Sequence, residues 1–191
     1  MEVAGTRAGV PALVRLRPPL LGLAVVLAEW TRVLAARMPG WEGPALLAGG
    51  LLLCLPALFV PFESLGLSRR ALGLRLLAGI TLAGVLLLPA TIRGAALPVL
   101  PTGLLVPAAL VAVGEEVAFR GALFAALETA YGPAAAVLGS TAAFVLAHVL
   151  SHPLAFLPTV ATLGLLLGLW RWAFRDLIAP ISAHVLADLA L

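Results

Sequence analysis

The chain has 191 residues, 62% of them hydrophobic and 11% charged, with a net charge of +3 and a mean hydropathy of +1.13. Soluble domains average about 25% charged residues, so this composition excludes an ordinary globular domain and points to an all-α, polytopic membrane helix bundle. All twelve basic residues are arginine and none forms a cluster with interleaved aromatics, so a nucleic-acid partner is excluded.

At roughly 20 residues per crossing, the length holds about seven transmembrane helices. The absence of lysine in an Ala/Leu/Gly/Arg-rich chain points to a bacterial gene. Residues 1–18 carry Arg7, Arg15 and Arg17 ahead of an apolar run, the outline of a signal peptide. The apolar character resumes after Trp30, which favours a retained first span over about 19–36. Glu29 and Arg32 lie three apart on one helical face and are expected to pair.

The second span is expected over 44–62 with Pro56 inside it, followed by a loop at 63–70. Cys54 lies in that apolar run as a small hydrophobe, and one cysteine supports neither a disulfide framework nor a cysteine metal site. The third span covers 71–90, with Arg75 near its start and able to snorkel. Residues 91–102, with Arg93, Gly94, Pro98 and Pro101, read as a loop or broken helix. The fourth span is expected over 103–127, about 37 Å at ~1.5 Å per residue, which places Glu115 near its middle. The fifth covers 134–157, interrupted at Ser151-His152-Pro153, where His152 reads as structural or solvated. The sixth covers 159–174 and the seventh 177–191. Across the alternate loops so defined the arginines divide eight to two, with Arg37 and Arg93 as the minority. That bias places the N-terminus in the cytoplasm of a bacterial inner-membrane protein.

The ionisable residues near span centres gather on three helices. Glu115, Glu116 and Arg120 lie on the fourth, His148 on the fifth, His184 and Asp188 on the seventh. Charges at bilayer depth cost about 2.5–3.5 kcal/mol each on insertion scales, which makes them functional candidates. Glu116 and Arg120 are i,i+4 and can pair within their helix, while Glu115 is turned about 100° away and left free. Phe144 stands i,i+4 from His148 and can wall one side of its ring; His184 and Asp188 are again i,i+4. Gly114 and Gly121 permit close helix packing.

A carboxylate and an imidazole from different helices can share and deprotonate a water, and a second imidazole can donate to the oxyanion that forms. The same set, Glu115, His148 and His184, could instead hold Zn²⁺, although no H-E-x-x-H is present. A proton-coupled transporter would also use Glu and His relays, but needs more spans or inverted repeats than 191 residues provide.

Glu115-Glu116-x-x-x-Arg120, Phe144-x-x-x-His148 and His184-x-x-x-Asp188, in this order, resemble the CAAX protease and bacteriocin-processing (CPBP, ABI) family of intramembrane proteases. That family includes the type II CAAX prenyl endopeptidases. The resemblance covers residues 100–191, so the chain divides into motif-free N-terminal helices (1–99) and a protease core (100–191). It implies an intramembrane endopeptidase in which Glu115 and His148 activate water, His184 and Asp188 form the oxyanion-stabilising pair, and Glu116, Arg120 and Phe144 support the site. Many members carry Asn where Asp188 stands; an ionised Asp cannot donate a hydrogen bond, so orienting His184 is the role left to it in that state. Both a metal-free and a zinc mechanism have been argued for the family, and the expectation here is metal-free. The implied substrate is a hydrophobic or lipid-anchored peptide, reached within the membrane lipids through a cytoplasm-facing cavity. The alternative is a non-catalytic immunity or scaffold member; the filled polar set favours the enzyme.

Overall fold

The computed structural model describes residues 12–92 and 100–190, and among them there is no β-strand. The helices are α1 (Ala12–Ala36), α2 (Glu42–Cys54), α3 (Leu72–Ile92), α4 (Leu105–Glu116), α5 (Phe124–Tyr131), α6 (Pro133–Ala147), α7 (Leu157–Phe174) and α8 (Ile178–Ala190). A π-helical segment, Val117–Leu123, joins α4 to α5. With short 3₁₀ turns at their ends these helices form five rods long and apolar enough to cross a membrane, Arg17–Ala36, Glu42–Phe59, Thr102–Tyr131, Pro133–Leu150 and Leu154–Phe174, and two shorter apolar stretches, Leu72–Leu88 and Ile178–Ala190. The chain is a multi-pass membrane protein. Leu20, Leu51, Leu58 and Leu77 face outward, as a lipid-facing surface requires.

The boundaries differ from expectation where local chemistry intervenes. Helix α1 begins at Ala12 and carries Pro18 and Pro19 within it, rather than starting at residue 19. Arg7 lies outside the described residues, as do Arg93, Gly94 and Pro98 of the third loop. Helix α2 stops at Cys54, and Pro56 sits early in a 3₁₀ turn over Leu55–Phe59, because proline lacks the N–H that an α-helix interior needs. Helix α6 opens on Pro133 at its first position after Gly132, the arrangement that a missing N–H suits best. It ends at Ala147, and His148–Leu150 form a 3₁₀ turn. The α-helical part of the expected fifth span therefore closes ten residues earlier than 157, and His148 lies in the 3₁₀ turn that ends its rod.

Glycines set the closest helix contacts. A Cβ on Gly114 would lie 2.5 Å from the Gly50 carbonyl oxygen, so α2 and α4 meet backbone to backbone. On Gly79 it would lie 2.5 Å from Ser182 Cβ, which seats α3 against α8. Small residues permit such approaches where lipid offers no hydrophobic drive between helices.

Candidate active site

The α4–π–α5 rod carries the central charges into the protein. Glu115, Glu116 and Arg120 are all buried, and the π segment is buried along its whole length. π-Bulges occur mostly as single turns at functional sites. Arg171 of α7 braces this one: its Nε donates to the Arg120 carbonyl at 3.1 Å and its Nη2 donates to the Ser64 carbonyl at 2.5 Å. Sequence spacing foretold one continuous α-helix through 127; the tertiary brace on Arg120 has no counterpart in hydropathy.

The two adjacent glutamates face different partners. Glu116 Oε1 accepts from Arg120 Nη1 at 2.7 Å and from His184 Nδ1 at 2.8 Å. The pairing within the helix is therefore as expected, but Glu116 also fixes the α8 histidine, a link absent from the sequence reading. The Arg120 guanidinium lies 4.0 Å over the Phe144 ring, and Phe144 is edge-on to Phe119 at 5.3 Å. On its other side Phe144 lies 4.2 Å from the His148 ring, centroid to centroid, and 6.0 Å from that of His184. Phe144 is thus the wall between the buried ion pair and the imidazoles.

Glu115 is the carboxylate left over. Its Oε2 lies 3.8 Å from His148 Nε2 and 3.7 Å from His184 Nε2. These separations exceed a direct hydrogen bond and fall within reach of one bridging water. His148 Nδ1 lies 2.8 Å from the Phe144 carbonyl. A carbonyl oxygen only accepts, so Nδ1 carries the proton and the neutral ring turns an acceptor Nε2 toward Glu115. Asp188 Oδ1 stands 3.6 Å from His184 Nε2, at the more open edge of the group.

Arg32 of α1 completes the surround. It donates through Nε (2.9 Å) and Nη2 to Glu29, and Nη2 lies 3.8 Å from Glu115 Oε1. The two oxygens of Glu115 are thereby divided, one toward a guanidinium and one toward two imidazoles. The Glu29–Arg32 pair was legible in the sequence as a structural pair; that it reaches the site was not. The signal in the sequence was a charged residue inside an apolar span, and the structure buries Glu29 fully. Asp176, which in the sequence only marks the end of the sixth span with Arg171 and Arg175, has a further role. It accepts from the backbone N–H groups of Ile178 and Ala179 at 3.0 and 3.2 Å, and so caps the helix that presents His184 and Asp188. It accepts from Arg75 Nη1 at 3.1 Å as well, so Arg75 is tied to α8 instead of snorkelling.

Arg32, Glu115, Phe144, His148, His184 and Asp188 line a cavity of about 350 Å³, together with Leu46, Leu100, Ser151 and Phe156. His152, expected to be structural or solvated, borders it too. Its ring stacks on Phe156 at 5.0 Å, and partial burial holds its imidazole below the ordinary range. Among the described residues no three His, Cys, Asp or Glu side chains are gathered closely enough to hold a metal ion.

A bundle of apolar helices enclosing a carboxylate–imidazole cluster defines a polytopic membrane protein with a buried polar site. Residues 97–190 match the family described as type II CAAX prenyl endopeptidase Rce1-like. The stretch that holds Glu115, His148, His184 and Asp188 belongs to that family, in line with the resemblance drawn from the motifs. No curated protein and no solved structure matches the chain.

Proposed function

We propose that this protein is an intramembrane endopeptidase that hydrolyses a hydrophobic or lipid-anchored peptide with water activated by Glu115 and His148. The convergence of Glu115 Oε2 on two imidazole Nε2 atoms, at 3.7 and 3.8 Å, carries the reading. A water between Glu115 and His148 meets two acceptors, which draw its protons and raise its nucleophilicity. Its oxygen attacks the scissile carbonyl and one of its protons passes to the Glu115–His148 pair. His184, held by Glu116 through Nδ1, in its protonated form presents Nε2–H to the oxyanion. The C–N bond then breaks and the captured proton leaves on the amine. Asp188 sits within 3.6 Å of His184 Nε2 and is the orienting partner of that ring. Every step is assigned to the chain's own groups, and chelation of the purified protein divides this mechanism from metal chemistry.

The test is cleavage of a prenylated or hydrophobic model peptide by purified protein. Glu115→Gln and His148→Ala are each expected to reduce turnover by about 10²–10⁴-fold, the usual contribution of a general base, with thermal unfolding little changed. Wild-type turnover in either variant would overturn the mechanism. Turnover is also expected to survive chelation; loss on chelation and recovery with Zn²⁺ would transfer the site to metal chemistry.

A further inference from the structure

The polar contacts sort the loops into two ends. At one end Arg75 meets Asp176, Arg175 meets Glu128 and Arg171 meets Ser64. Arg17 lines a groove with Ser64 and Thr129 at this same end. Arg69 and Arg70 lie in the connection between Leu65 and Leu72, and so belong here as well. At the other end Arg37 donates to the Leu150 carbonyl, which joins the α1–α2 connection to the turn that carries Ser151 and His152. Six of the described arginines that flank membrane helices therefore share one end, and Arg37 stands at the other. In the sequence, Arg7 and Arg15 add to the first group and Arg93 to the second.

The cavity is not centred between these ends. It runs from Glu115, midway along its rod, to Ser151, His152 and Leu100 at the arginine-poor end. Asp188, whose side chain is 40% exposed, lies toward the same mouth. The arginine-rich end is closed over the site by the buried π segment and its Arg171 brace. Arginine-rich short loops stay in the cytoplasm.

We propose that the cavity opens on the non-cytoplasmic face of the membrane, so that its substrates are hydrophobic or lipid-anchored peptides presented from that side. This replaces the cytoplasm-facing cavity expected from sequence, and it rests on the peptidase reading only for the word substrate. Polypeptides modified at a cytoplasmic C-terminus are then out of reach, and the reaction that supplies the substrate is one that delivers a peptide across or into the outer leaflet.

The experiment places single cysteines in a full-length Cys54→Ala background and labels them with a membrane-impermeant maleimide. Ser151→Cys and Met38→Cys report the cavity end; Glu63→Cys reports the arginine-rich end. Intact cells are expected to label positions 151 and 38, and to label position 63 only after permeabilisation. Labelling of position 63 in intact cells, or protection of both 151 and 38 there, overturns the proposal. Met38→Cys keeps the test open if Ser151→Cys fails to insert. Peptide cleavage by right-side-out and inverted vesicles is read separately. Failure of cleavage in both with correct labelling strikes the peptidase reading alone, whereas cleavage confined to inverted vesicles strikes the sidedness alone.

Discussion

Glu115 and Glu116 are chemically identical neighbours with different assignments, and the difference lies in what each oxygen meets. Glu116 Oε1 is held by Arg120 and His184, at 2.7 and 2.8 Å, while the charged neighbours of Glu115 stand 3.7–3.8 Å from its oxygens. Arg32 is the residue whose weight can be tested at this scale. Arg32→Gln leaves Glu29 buried without its partner, a loss expected to reach about 3–5 kcal/mol in stability, measured by chemical or thermal unfolding in detergent. Glu29→Gln combined with Arg32→Gln removes both charges and is expected to recover most of that stability. Cleavage by the double variant should nevertheless stay reduced, chiefly in kcat, because Glu115 Oε1 has lost its positive neighbour. Full turnover in the double variant would make Arg32 a scaffold residue only.

At the scale of elements, the site depends on how closely α4 lies against α2 and on how the π segment is held. Gly114 precedes Glu115 directly, and its Cα faces the Gly50 carbonyl with no space for a methyl group. Gly114→Ala must therefore push α4 from α2 or rotate it, carrying Glu115 with it. The expected result is a fall in melting temperature together with a loss of cleavage greater than the stability change explains. Gly73→Ala, at a position where nothing stands within 4 Å, serves as the comparison and should leave both unchanged. The π segment could not be read from spacing, since Glu116 and Arg120 satisfy an i,i+4 pairing across its start in either helix type. What holds the segment is Arg171, fifty-one residues away.

Over the whole molecule, the helices that carry no family motif still build the site. Arg32 of α1 and Leu46 of α2 line the cavity, and Val25, Val26 and Leu53 pack into the same apolar core as Phe119 and Phe144. A fragment covering 97–191 expressed alone is expected to give no cleavage. Co-expression with 1–96 is expected to restore it, as a peptidase assay on membranes would register. Activity in the isolated fragment would make the N-terminal helices an accessory rather than part of the site.

The sequence by itself determined the all-helical membrane class, the order of the rods and the three motif elements, because hydropathy and i,i+4 spacing are local properties of the chain. It also divided the two glutamates correctly, since Arg120 answers Glu116 within a single turn. Only the tertiary structure decided that His184 is bound to Glu116, that Arg32 faces Glu115, that Asp176 caps α8 and that the cavity opens at the arginine-poor end. Each of these joins residues far apart in the chain, Glu116 and His184 by 68 positions and Arg75 and Asp176 by 101. Such contacts follow from how the rods pack, through glycines at 50, 79 and 114, and no local pattern encodes that packing.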